Sequence, residues 1–113
     1  MVKQGDIYWV EFSPSTGSEM RGVHPALILQ QSLINQTGIR TVVVVAMSSN
    51  TDLKHIPGNV LIPAKKSGLK KDSVVNVSHM YTLDKSRLER KAGQLHQEDM
   101  DLVFEGIDHL FGR

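Results

Sequence analysis

No cysteine occurs in the 113-residue chain, so a disulfide framework and a thiolate metal site are both excluded. That absence permits a reducing compartment, and the cytoplasm is the expected location. No apolar run is long enough to cross a membrane, and the N-terminus lacks a secretory-signal pattern, so no membrane partner is expected. Low-complexity tracts and internal repeats are missing as well. The five histidines are scattered without paired ligand spacing, so no metal site is expected. No glycine-rich segment ends in the Lys-Ser/Thr of a phosphate cradle, and no cofactor is expected.

Net charge is also nearly absent, +1 at pH 7, yet it is unevenly placed. Residues 1–95 hold 12 Lys and Arg against 7 Asp and Glu, a balance of +5; residues 96–113 hold 1 Arg against 5 acids, a balance of −4. A basic body suits a polyanion, because phosphate contacts supply the sequence-independent part of nucleic-acid affinity. Lys65, Lys66, Lys70 and Lys71 surround Gly68 in a solvated basic segment and are candidate phosphate contacts.

What is present reads as one domain over residues 1–113 with a single modest core. Residues 7–12 form a first strand, with Tyr8, Val10 and Phe12 on one face and Ile7, Trp9 and Glu11 on the other. Because both faces are largely apolar, more surface is expected than one helix covers, which predicts a homodimer. Residues 26–29 form a second strand and residues 32–40 a loop with a helical turn. Residues 41–47, with four consecutive valines, form a central strand. Shorter strands are expected at 59–62, 73–77, 82–83 and 93–95, and Asp84 caps a short helical segment over 85–90. From Gln97 the spacing of Met100, Val103, Phe104, Ile107, Leu110 and Phe111 is that of an amphipathic helix, with acids in its first turn. The sum is an α+β domain on a small curved antiparallel sheet closed by a C-terminal helix.

One stretch concentrates the chemistry. Between Gly17 and Gly22, glycines that admit backbone conformations forbidden to other residues, lie Glu19 and Arg21, and His24 follows. Pro25 biases His24 toward an extended conformation and leads into the apolar second strand. Ionisable groups on a loop anchored to a strand commonly build a site; the alternative is a solvated hairpin connection. The central strand ends in Ser48 and Ser49, and a second polar cluster, Asn76, Ser78, His79 and Tyr81, lies further on. Tyr81 and Trp9 offer ring faces to a base, although the core is the expected home of Trp9.

The order Gly-Ser-Glu-x-x-Gly-x-x-Pro-Ala-Leu, preceded by Gly5-Asp6-Ile7-Tyr8-Trp9-Val10-Glu11-Phe12-Ser13-Pro14, resembles the opening of the MazF/PemK toxins. The resemblance continues through residues 43–50, 57–61, 68–84 and the final helix, and so covers nearly the whole chain. It implies an SH3-like antiparallel barrel of the CcdB/MazF plasmid-toxin type, usually homodimeric. It also implies a metal-independent, sequence-specific endoribonuclease that cleaves single-stranded mRNA. Its partner would be a cognate antitoxin whose disordered, acidic C-terminal segment binds the basic groove. The rival readings are a catalytically weakened relative that binds only RNA or antitoxin, and a gyrase-binding toxin of the CcdB type.

Such cleavage requires a base for the ribose 2′-hydroxyl, an acid for the leaving 5′-oxygen, and donors or cations for the phosphorane charge. In the family pattern an Arg precedes the proline and a Thr or Ser ends the core strand. Ser48 fills the second position; His24 stands at the first. Imidazole titrates near neutrality, which fits it for proton transfer, but it lacks the fork with which guanidinium holds phosphate. Arg21 is the candidate to supply that fork. His24, Ser48 and Arg21 are thus the expected catalytic residues. Glu19, Ser49, Asn76, Ser78, His79, Tyr81 and the four lysines are the expected RNA contacts.

Overall fold

The computed structural model describes residues 2–12, 17 and 20–113. The valine run lies where its β-branched side chains lead it, in the interior of a sheet. Six strands, β1 (Asp6–Glu11), β2 (Val23–Ile28), β3 (Thr41–Ser48), β4 (Val60–Ile62), β5 (Ser73–Asp84) and β6 (Lys91–Gln94), pair antiparallel in the order β4-β5-β3-β2-β1-β6. Two single-turn helices, α1 (Ser32–Asn35) and α2 (Ala64–Ser67), two 3-10 turns over Thr51–His55 and Lys85–Arg87, and one long helix, α3 (Gln97–Leu110), complete the elements of the described residues.

Period-two alternation gives the sheet two apolar faces. Ile7, Leu27 and Val45 pack with Met100 and Val103 of α3 in one core. Val10, Ala26, Ile28, Val42 and Val44 pack with Phe12 and Leu83 in the other. Ile7 and Val10, on opposite faces of β1, are both fully buried within the chain. The burial of Ile7 and Val10 thus needs no second copy, while Tyr8 and Trp9 on the same strand remain half-buried. The large apolar side chains left exposed lie elsewhere, among them Leu61, Leu102 and Phe111.

The sheet curls until its two ends meet. A Cβ on Gly93 of β6 would sit 2.0 Å from the carbonyl oxygen of Ser67 in α2, so glycine is what lets the segment after β4 lie against β6 at the far side of the strand order. The same device docks α3. A Cβ on Gly106 would meet the carbonyl oxygen of Gly58 at 2.0 Å, so helix and loop touch backbone to backbone. Leu110 and Phe111, placed by spacing with the apolar face of α3, are exposed instead, because the last turn extends beyond this contact.

Among the boundaries that differ from the sequence reading, two bear on the site. His24 and Pro25 belong to β2 rather than to the preceding loop, since Gly22 turns the chain with φ +83° and the proline then holds His24 extended. Residues 73–77 and 82–83 are one strand, β5. Its pairing with β3 shifts between Val45↔Met80 and Met47↔Val75, so the polar residues 76–79 bulge without ending the strand. The Asn59 carboxamide braces that bulge, accepting from Val77 N at 3.0 Å and donating to Asn76 Oδ1 at 3.2 Å. Asp84 caps a 3-10 turn over Lys85–Arg87, and hydrogen bonds from the Ser86 hydroxyl and N–H hold its carboxyl below the ordinary carboxylate value.

Candidate active site

A groove of about 570 Å³ opens where β2 and β3 separate. Their pairing ends at Ala26↔Ala46, so His24 and Pro25 are paired with β1 alone. The same register, continued, sets His24 opposite Ser48 at the end of β3. Strand divergence thus leaves His24 and Ser49 at the rim of a rigid sheet.

His24 lines this groove with Ser49, Lys70, Lys71, Ser73, Arg90 and Lys91, and Trp9 forms part of its wall. Lys70 and Lys71 are presented by a short loop pinned at both ends. Gly68 closes α2 in the left-handed conformation at φ +85°, and Leu69 is buried in the core. Beyond them Asp72 Oδ1 accepts from Ala64 N at 2.8 Å. Lys91 is steadied by the buried carboxylate of Asp6 at 3.2 Å and by Gln94 Oε1 at 3.2 Å. Among the described residues no Asp or Glu lines the groove. Lys91 is paired with Asp6, while Lys70, Lys71 and Arg90 have no carboxylate partner among the described residues and face the open volume, the electrostatics of a polyanion site.

His24 Nε2 lies 2.7 Å from the carbonyl oxygen of Arg21. A carbonyl only accepts, so Nε2 carries the proton and donates it there, which leaves Nδ1 as the lone-pair nitrogen of the neutral ring. Arg21 itself is exposed, its guanidinium reaches the Gly17 carbonyl at 3.4 Å, and it does not line the groove. Its backbone, rather than its side chain, touches the histidine.

Ser48 is buried, and its Oγ accepts from Asn50 N at 3.1 Å, the bond of a serine closing its own turn. Ser49 is the serine on the groove wall.

The remaining expected contacts are dispersed. Asn76 is 4% exposed and its carboxamide oxygen is taken by Asn59 and by Ser78 Oγ, so it braces the bulge and is not presented to RNA. Ser78 and His79 face each other at 3.4 Å on the same bulge, away from the groove. Tyr81 packs on Phe12 with ring centroids 4.9 Å apart, in the second core. Lys66 turns to the buried Asp99 at 3.6 Å, and neither it nor Lys65 lines the groove. Glu19 lies outside the described residues. Arg90, Lys91 and Ser73 were not singled out in the sequence; the one local signal was a basic pair just before an edge strand.

The fold and the groove define a class: a small, curled antiparallel sheet with a C-terminal helix, bearing a basic cleft with one imidazole. The chain belongs to the family of PemK-like, MazF-like toxins of type II toxin–antitoxin systems, which it matches over residues 3–111. It is 38% identical over 115 residues to the endoribonuclease MazF of Staphylococcus epidermidis, covering 99% of this chain and 92% of that one. It is 37% identical over 107 residues to the endoribonuclease EndoA of Bacillus subtilis, covering 95% and 91%. Among solved structures, MazF from Deinococcus radiodurans superposes with a TM-score of 0.79 at 25% identity over 99% of this chain and 97% of that one. A MazE–MazF structure from the same organism gives 0.75 at 26% identity, covering 98% and 96%. These likenesses do not favour a gyrase-binding toxin. No helix among the described residues is long and apolar enough to cross a membrane.

Proposed function

We propose that this chain is the toxin of a toxin–antitoxin pair, an endoribonuclease that cuts single-stranded mRNA at short sequence motifs in the cytoplasm. The single observation that carries the reading is the position of His24 in a groove walled by Lys70, Lys71, Arg90 and Lys91. His24 Nδ1 takes the proton of the ribose 2′-hydroxyl as that oxygen attacks phosphorus. The P–O5′ bond breaks, the 5′-oxygen takes up a proton, and the products are a 2′,3′-cyclic phosphate and a 5′-hydroxyl. The cationic side chains hold the phosphate and stabilise the charge that grows on its oxygens. Ser49 donates a hydrogen bond from the wall, and Ser48 shapes the turn that presents it. Arg21 sets the tautomer of His24 through its carbonyl.

Because fixed side chains supply proton transfer and charge stabilisation, the reaction should proceed without a divalent ion. A cognate antitoxin with a disordered acidic segment would bind the same groove through the same cations and exclude RNA. Self-association as a homodimer would use the apolar side chains left uncovered, such as Leu61 and Leu102.

Incubation of the purified protein with a long single-stranded RNA should give discrete fragments with 5′-hydroxyl ends, equally with and without EDTA. Loss of cleavage in EDTA would remove the metal-independent mechanism. Intact RNA in both arms, with RNA still bound, would leave the chain a binding protein.

A further inference from the structure

Two aromatic side chains were candidates to meet a base, and the structure separates them. Both are half-buried, but Tyr81 is spent on Phe12 in the second core, whereas Trp9 stands in the wall of the groove. We propose that Trp9 is a nucleobase platform, on which an unpaired base of single-stranded RNA stacks while Lys70 and Lys71 hold the neighbouring phosphates. This rests on the reading of the groove as the RNA site and adds to it the side chain that meets the base.

Trp9 shares a face of β1 with Ile7, which is fully buried, so alternation alone would bury the indole too. It is only half-buried, and the pairing of β1 with β6 shifts between Ile7 and Tyr8, just before it. The position is nevertheless rigid. Trp9 N donates to the Arg90 carbonyl at 3.0 Å, and Glu89 N donates to the Trp9 carbonyl at 2.9 Å. On the other side Trp9 pairs with Pro25, next to His24. The backbone of the platform is therefore locked on both sides.

The surroundings are those of a stacking site. The Arg90 guanidinium carbon lies 5.7 Å from the ring centroid, within cation–π range, and among the described residues Arg90 forms no ion pair. Nor does the indole Nε1 have a hydrogen-bond partner among the described residues, although a Trp N–H that only packs usually finds one. An aromatic ring in the wall of a cationic groove is how single strands are held without base pairing: the cations track the backbone and the ring takes a base.

The chain has one tryptophan, so its emission reports on this residue alone. The probe is a short mixed-sequence RNA with 2′-fluoro sugars, which lacks the nucleophile and so is not cut. Inorganic polyphosphate serves as the anion without bases. The RNA should quench the emission in step with binding followed by anisotropy of a labelled copy. Polyphosphate should compete for the groove without quenching. Trp9→Leu should weaken RNA binding roughly 5- to 150-fold while leaving polyphosphate affinity unchanged, and Trp9→Phe should retain most of the RNA affinity. Should Trp9→Leu fail to fold, the quenching of the parent and the affinity of Trp9→Phe decide. RNA bound without quenching, with Trp9→Leu binding as tightly as the parent, overturns the platform and leaves the RNA site standing. No binding of RNA by the parent overturns both.

Discussion

Two recesses of nearly equal volume lie on this molecule, the groove of about 570 Å³ beside His24 and another of about 600 Å³ between β4 and the last turns of α3. Size does not distinguish them; their walls do. The first collects Lys70, Lys71, Arg90 and Lys91 and, among the described residues, no carboxylate. The second carries Glu105 and Asp108 with His109, Arg113 and the exposed Leu61 and Leu102. The uneven charge of the sequence, basic before residue 96 and acidic after it, becomes two surfaces of opposite character. A polyanion is drawn to one and repelled by the other. Each recess also contains one histidine, which allows a direct test of whether place or residue type matters.

The largest contrast should come from those histidines. His24→Ala should slow RNA cleavage by roughly 10²–10⁴-fold, the usual contribution of a positioned proton-transfer group. His109→Ala, in the acidic recess, should leave the rate within about twofold of the parent. One limb of the parent's rate–pH profile should vanish in His24→Ala, as expected when a proton-transfer group is removed. His24→Arg restores a phosphate fork but not a base, so it should remain slow. If His24→Arg instead cleaves faster than the parent, the imidazole is a weakened arginine position and proton transfer belongs to another group.

A second contrast separates function from construction. Gly106 borders the acidic recess, and a Cβ there would meet the Gly58 carbonyl at 2.0 Å. Alanine at a helical position normally gains about 1 kcal/mol over glycine. Here a backbone oxygen stands in the way, and overpacking of this kind costs about 1–3 kcal/mol or more. Gly106→Ala should therefore lower the thermal midpoint, while the cleavage rate per folded molecule stays that of the parent. A midpoint equal to or above the parent's would mean that α3 is not docked by this backbone contact.

Legibility in the sequence followed the range of the interactions. The four valines and the spacing of Met100 and Val103 are local patterns, and both became core. Gly17 and Gly22 were read as residues needing unusual backbone angles, and they take φ values of +62° and +83°. His24, Lys70 and Lys71 were singled out separately, and the fold brings them to one groove. Arg90 and Lys91 join them only because the sheet curls and β6 pairs with β1, a closure between residues far apart in the chain. Trp9 and Tyr81 exchanged places for a related reason. Alternation assigns a side chain to a face, but which part of that face is covered depends on where the neighbouring strand stops. The two-strand reading of residues 73–83 failed because a polar interruption looks the same whether a strand ends or bulges. The carboxamide of Asn59 that makes bulging tolerable lies 17 residues away from its partner Asn76.

The smallest effect divides the four lysines that the sequence presented as one basic segment. Lys70 and Lys71 line the groove, whereas Lys65 and Lys66 do not, and Lys66 is directed toward Asp99. Each phosphate neutralised on a single strand contributes about 0.7 to the slope of log affinity against log salt. Replacing both Lys70 and Lys71 by Ala should therefore reduce the magnitude of that slope by up to about 1.4, with a parallel loss of affinity at low salt. Replacing both Lys65 and Lys66 should leave the slope nearly unchanged, since charges that never meet phosphate release no counterions from it. The comparison is made on an uncleavable 2′-fluoro RNA, at temperatures where both variants are folded. Helix α2 carries Lys66, so loss of the Asp99 contact can lower stability without touching the slope, which keeps the two effects apart. Equal reductions for the two pairs would show that RNA extends from the groove along α2, and the basic surface would then be wider than the recess that contains His24.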